Sequence, residues 1–212
     1  MKGEGPTYVK HIKAGVEAAL KDKEALLVFS GGETEESVGP RSEGGSYFEL
    51  ADALGLITEE LLPRVTTEWH ALDSYQNLLF SIARFHEYTN NYPSKITVIS
   101  HDFKKHRFVD VHRKAVGFPE ERFEFIGIDP PVMSTDAAEG VKKSEGKTVE
   151  QWEADPYACD ETGVLVEKRK TRGWSRRGDG YWDRCEEMRE LLTFCPSGGV
   201  KWFEGSLPWR KG

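Results

Sequence analysis

The residues of this 212-residue chain with the most chemical potential sit where apolar runs stop. Ala25-Leu26-Leu27-Val28-Phe29 ends abruptly at Ser30-Gly31-Gly32. An apolar run bounded by glycine predicts a strand buried on both faces. A Ser-Gly-Gly end would leave backbone N–H groups open to a ligand, with no side chains in the way. A tight turn is the alternative, since the loop matches neither the GxGxxG nor the GxxxxGK(S/T) phosphate fingerprint.

A second such end is Ser100-His101-Asp102, after the β-branched run Lys95–Ile99, and Lys104, Lys105, His106 and Arg107 follow it. Cations in the first turn of a helix oppose its dipole, so their clustering there favours an anion site over simple solvation. Arg107 suits a bidentate contact with phosphate or carboxylate. Asp73, Ser74 and Asn77 fall in the first turns of a third predicted helix, where they could hold an anion or cap the helix. Ser100-His101-Asp102 is not a catalytic triad, because neighbours on an extended segment point to opposite faces and no GxSxG elbow occurs. His101, His106 and His112 do not share a helical face, so no metal site is expected. Lys168 to Arg172, with Trp174, Arg176 and Arg177, has the look of an RNA-binding segment. A solvated loop balanced by Asp179, Asp183, Glu186 and Glu187 is the preferred reading.

These residues need a scaffold, and the periodicities predict one. Val9, Ile12, Val16, Ala19 and Leu20 predict a helix over 8–21 with Thr7 as N-cap. The strand at 25–29 follows. Helices are then expected from Ser42-Glu43 to about Leu54, over Thr58–Leu62, over Ala71–Tyr88 and over Lys104–Val116. Strands are expected at 64–68, 95–100 and 122–128. Strands alternating with helices predict a parallel α/β sheet with right-handed crossovers. Residues 134–148 are small, polar and charged and read as a surface loop or linker. Four of the six tryptophans fall in the last forty or so residues, where one helix is expected over about 182–194, with Cys185, Met188, Leu192 and Cys195 on one face. The division is thus an α/β domain over 1–133 and, over 134–212, a linker and Trp-rich extension too short for its own core.

The formal charge of −7 argues against nucleic acid as the main partner. Three cysteines without a CxxC are read as reduced thiols in a cytoplasmic protein. No apolar run is long enough to span a membrane, and the polar start MKGEGPTYVK is unlike a signal peptide.

Taken together, these stretches resemble the domain-of-unknown-function 218 family, the SanA/ElyC/YdcF-like proteins, in a eukaryotic branch. Ser30-Gly31-Gly32-Glu33-Thr34 is similar to the family's SGGxT strand end, and Ser42-Glu43 to its SEA helix start. Glu68 to Asn77 follows its E-x-x-S-x-N-T-x-E-N pattern at Glu68, Ser74 and Asn77, and Ser100 to Arg107 resembles its later strand end. Ala71, Asp73, Gln76 and Lys104 depart from the pattern; the last stands where bacterial members commonly have His, which argues against a histidine-dependent reaction. The match covers about residues 8–130. The resemblance implies a Rossmann-like three-layer parallel sheet with a polar cleft at the strand ends. It also implies a buried strand ahead of the first helix, so the chain is expected to be shortened at its start, with a gap between the strands at 25–30 and 95–100.

The expected ligand is a small anion: a nucleotide, a nucleoside derivative or S-adenosylmethionine. Ser30, Gly31, Gly32, Thr34, Ser42, Ser74, Asn77, Ser100, His101, Lys104 and Arg107 are the expected binding residues. Glu43 and Glu68 would hold sugar hydroxyls or act as acid–base groups in phosphoester or glycosyl transfer or hydrolysis. The reading from another class is a non-catalytic interaction protein or inactive fragment, with the Trp-rich extension as the working surface.

Overall fold

The computed structural model describes residues 5–130, 135–173 and 180–210. Trp174, Arg176 and Arg177 of the basic stretch, and Asp179 set against it, lie outside them. The chain is mixed α/β, in the order α1 (Gly5–Lys21), β1 (Leu27–Ser30), α2 (Glu43–Ala53), β2 (Val65–Glu68), α3 (Ser74–Thr89), β3 (Ile96–Ser100), α4 (Arg113–Ala115), β4 (Phe123–Gly127), α5 (Thr135–Ala154), α6 (Val164–Arg172) and α7 (Arg189–Leu192).

The four strands form two separate parallel pairs among the described residues, β1 with β2 and β3 with β4, where the resemblance implies one three-layer sheet with a gap between β1 and β3. β1 pairs with β2 in the register Leu27–Val65 to Ser30–Glu68. β3 pairs with β4 from Ile96–Phe123 to Ser100–Gly127. β1 and β3 therefore each keep one edge outside any ladder. Val28, Val98 and Ile99 are only half-buried, although central strands of a covered parallel sheet are normally buried throughout. α1 touches both pairs, and a side chain at Gly15 would meet Leu27 Cδ1 at 3.1 Å and Ile99 Cδ1 at 3.8 Å.

Two apolar clusters follow this division. One joins Ile12, Val16 and Ala19 of α1 to Phe29, Ala51, Leu61 and Val65. The other is larger and joins α3 and the segment after β3 to Trp152, Tyr157, Leu165, Tyr181, Met188, Leu207 and Trp209. The C-terminal extension thus shares a core with α3 and has none of its own.

Several local expectations are corrected. α1 begins at Gly5, so Thr7 is a buried helical residue and not an N-cap. Residues 58–61 form a turn leading into a 3-10 turn, Leu62–Arg64, because Pro63 leaves too little length for a helix. The helix expected over 104–116 is a 3-10 turn (Asp102–Lys104), a π-helical turn (Arg107–His112) and then α4, ending at Gly117 with φ +62°. From residue 135 on, the stretch expected as a linker at 134–148 lies within the twenty-residue helix α5. Only Trp152 on it is fully buried among its described side chains, so its apolar stripe is too sparse to show as periodicity. The helix expected over 182–194 is a turn, a 3-10 turn and the four-residue α7; Leu191, not Leu192, is its buried leucine. The basic stretch 168–172 is the end of α6, not a loop. Cys159 and Cys195, expected as thiols, form a disulfide with a Cα–Cα distance of 5.8 Å; Cys185 alone is reduced, and it is buried. No described helix is long and apolar enough to cross a membrane.

Candidate functional site

The loop after β1 is built inward. Gly31 N–H donates to Glu68 O (2.9 Å) and Gly32 N–H to Ala71 O (2.7 Å). At the start of α2, Glu43 N–H donates to Gly32 O (3.0 Å), Gly44 N–H to Gly31 O (2.9 Å) and Gly45 N–H to the Ser42 hydroxyl (3.0 Å). The N–H groups of Gly31 and Gly32, expected to face a ligand, are engaged within the protein. Glycine is required here by close packing: Gly31 has φ +144°, and a Cβ on Gly32 would sit 2.7 Å from Ala71 O. Ser42 is the helix cap, and the Thr34 hydroxyl donates to the Glu43 carboxylate.

At the carboxyl end of β2, next to this loop, lies Glu68, which has no solvent exposure. Its carboxylate accepts from Ser30 Oγ (2.8 Å) and His70 N–H (2.6 Å), with the Tyr181 hydroxyl as a further donor. Burial outweighs these donors and pushes its carboxyl up to about 7. Ser30 Oγ also lies 3.2 Å from Asn77 Oδ1, on the second turn of α3. Ser30, Glu68 and Asn77 are thereby brought into one cluster, covered by Tyr181 from the extension.

One turn earlier on α3, Ser74 faces elsewhere. Its hydroxyl is 2.8 Å from His112 Nε2. His112 is fully buried, and burial, with the Arg107 and Arg169 guanidiniums, holds its pKa well below the usual histidine value. Arg107, on the π-helical turn, pairs with Glu145 of α5: NH2 donates to Oε2 at 3.1 Å, while Nε lies 3.1 Å from Oε1 without a hydrogen bond to it. Of the two roles open to Asp73, capping is the one present, with α3 starting at Ser74 and not at Ala71: its carboxylate accepts from Gln76 N–H (2.9 Å) and pairs with Arg169 of α6 at 2.5 Å.

The remaining candidates are dispersed. Ser100 ends β3 and its carbonyl accepts from Ile128 N–H (2.9 Å). His101 is buried among the rings of Tyr8, His11 and Phe103, with Nδ1 3.8 Å from Asp129. Lys104 lies over Phe103 at 5.9 Å. The eleven expected binding residues and two carboxylates therefore do not converge on one cleft. They divide into the loop–α2 junction, the Ser30–Glu68–Asn77 cluster, the Ser74–His112 and Arg107–Glu145 pairs, and the separate end of β3. A cavity of about 320 Å³ lies away from the strand ends, lined by Ala158, Glu161, Val166, Arg169, Lys170 and Gly173.

His70, His112, Glu145 and Tyr181 escape the sequence reading. His112 was weighed only for metal, and Glu145 and Tyr181 lie in a stretch read as linker and extension. No short-range signal marks them, because each reaches its partner across more than thirty residues or through a backbone turn. Among the described residues no three His, Cys, Asp or Glu side chains are grouped to hold a metal ion.

Fold and site together define an α/β protein with two short parallel strand pairs and a buried polar cluster at the carboxyl end of one of them. Among curated proteins it is similar to uncharacterized protein YOR238W of Saccharomyces cerevisiae (strain ATCC 204508 / S288c), at 30% identity over 159 residues, covering 58% of this chain and 52% of the yeast protein. The chain thus spans about half the length of that relative. No family model matches the chain, and no solved structure matches it.

Proposed function

We propose that this protein binds a small anionic molecule, a nucleotide, nucleoside derivative or S-adenosylmethionine-like compound, at the carboxyl ends of β1 and β2. The observation that carries the reading is Glu68: a carboxylate with no solvent exposure, at a strand end, linked to Ser30 and Asn77. A buried carboxyl pushed up to about 7 is costly to the fold, and such groups concentrate at functional sites. Ligands of open α/β sheets bind at this end of the strands. The reading treats the fold as Rossmann-like and the chain as related to the domain-of-unknown-function 218 family. In its enzymatic version Glu68 is the acid–base group of a phosphoester or glycosyl transfer or hydrolysis, since a pKa near 7 suits proton transfer in either direction. It keeps the cytoplasm as the compartment; thiols there are held reduced, so the Cys159–Cys195 bridge would be opened for part of the time. The alternative, a non-catalytic interaction protein or inactive fragment with the Trp-rich extension as its working surface, is favoured by the dispersal of the expected site residues, while Trp209, 2% exposed, belongs to the core and not to a free surface.

The test is a thermal-shift screen with S-adenosylmethionine, nucleotides and sugar nucleotides. A ligand held by the native state raises the midpoint by mass action. The expected result is a rise of about 3 °C or more for one class, lost in Asn77→Ala and in Ser30→Ala. A cooperative melt that no member of the panel moves would overturn the reading.

A further inference from the structure

Arg107 is held by its own chain in the way a ligand would hold it. NH2 donates to Glu145 Oε2 at 3.1 Å, and Nε lies 3.1 Å from Oε1 with neither atom hydrogen-bonded, so Glu145 occupies the place of an external carboxylate or phosphate without completing the arginine's two-pronged contact. The pair is enclosed, with side-chain exposures of 9% and 12%. Other cations stand around the pair: Lys104 and Lys168 also act on Glu145, and Arg172 stands near Arg107 and Lys168, while His106 is already paired with Asp110 (2.9 Å) and Glu153 (3.3 Å). Asp73, which acts on Arg107 and Lys168, is engaged by Arg169. Fully buried His112 lies alongside, bonded through Nε2 to Ser74 at the start of α3, and its Nδ1 has no hydrogen-bond partner among the described residues.

The helix that delivers Glu145 is lightly held at that end. Residues 139, 140, 142–144, 146 and 147 of α5 are exposed, and the helix is anchored further on, at Trp152, against Tyr75 and His112.

We propose that Arg107, with Lys104 and Lys168 around it, is a seat for a carboxylate or phosphate group, and that Glu145 fills this seat in cis until an external anion displaces it. This rests on the proposed ligand reading only for the ligand's charge. It adds a second contact point, at Arg107 beside the His112–Ser74 pair, and a built-in competitor. Removing that competitor leaves an enclosed arginine uncompensated, which destabilises the fold until an anion returns.

Glu145→Gln, nearly isosteric, is the test, read by thermal melts of the full chain in phosphate, acetate or chloride at equal ionic strength. The expected result is a midpoint below that of the unmodified protein, recovered by about 3 °C or more in phosphate or acetate and not in chloride. The recovery should vanish in Arg107→Ala/Glu145→Ala, and the better of the two anions names the group the seat takes. Should Glu145→Gln lack a cooperative melt, Glu145→Asp, which withdraws the carboxylate by one methylene, is read in the same way. Equal recovery in chloride, no recovery at all, or recovery that persists without Arg107 would overturn the proposal. If instead a nucleotide binds the unmodified protein through Asn77 with an affinity that Glu145→Gln leaves unchanged, the seat is refuted and the ligand reading stands. Phosphate rescue with no nucleotide or S-adenosylmethionine binding gives the reverse.

Discussion

Glu68 carries the clearest single-residue consequence. Its carboxyl titrates near 7 in the fold and near 4.5 in an unfolded chain, so the folded protein binds the extra proton between those values. Stability from this group is therefore complete below about pH 4.5 and lost as pH rises through about 7, amounting to about 3 kcal/mol. Measured against Glu68→Gln, which has no such titration, the midpoint of the unmodified protein should fall between pH 4.5 and 7 and then level off. A difference that is constant across this range would contradict the assignment. His112 runs the other way: burial keeps it neutral, so stability is lost as pH falls below its ordinary value, and acid scans should be read on the difference from Glu68→Gln and not alone.

At the scale of elements, the junction between the β1 loop and α2 is closed by glycine. A Cβ on Gly44 would run into the carbonyl oxygen of Phe29 and lie 2.7 Å from that of Glu68, both backbone atoms that cannot swing away. Gly44→Ala should cost about 3 kcal/mol in chemical denaturation, whereas Gly55→Ala, where nothing lies within 4 Å but φ is +66°, should cost about 1 kcal/mol. The strands make a separate prediction. In a parallel ladder alternate residues point both backbone groups at the same neighbour. Gly31 N–H donates to Glu68 O, so Leu27 and Phe29 face β2, while Val28 and Ser30 face the unpaired edge. Ser100 O accepts from Ile128 N–H, so Ile96 and Val98 face β4, while Thr97 and Ile99 face away. Native-state hydrogen exchange should therefore alternate along both strands, faster at 28, 30, 97 and 99. Uniform protection would mean that something pairs those edges in solution.

For the whole molecule, the extension is what joins distant parts. The Cys159–Cys195 bridge closes a loop with a sequence separation of 36, while Tyr157 donates its hydroxyl to Ala115 O (3.1 Å) and accepts from Phe203 N–H (2.8 Å). Chain-entropy arguments for a loop of that size give about 4 kcal/mol. Reduction, or the double change Cys159→Ser and Cys195→Ser, should lower the melting midpoint by roughly 10 °C. Because the extension also supplies Tyr181 to Glu68 and Arg169 to Asp73, loosening it should expose the polar cluster as well as weaken the core.

Much of this arrangement was legible in the chain itself. The apolar runs at 25–29 and 95–99 and the 3–4 spacing over 71–88 place β1, β3 and α3 within a few residues, because strand and helix periods are local properties of the chain. Ser42 caps the helix that Ser42-Glu43 is expected to open, and Asp73, left open between capping and anion binding, is the cap of α3. Tertiary structure alone decided the rest. Whether the N–H groups of Gly31 and Gly32 look outward or inward depends on where the carbonyls of Glu68 and Ala71 arrive. That β1–β2 and β3–β4 are separate pairs depends on which edges meet. α5 forms from a stretch with little helical signature because Trp152 and Glu145 find partners in α3 and in the turn after β3. Arg107 meets Glu145 and not solvent for the same reason: a charge's partner is set by distance in space, and a linear sequence encodes spacing only along the chain.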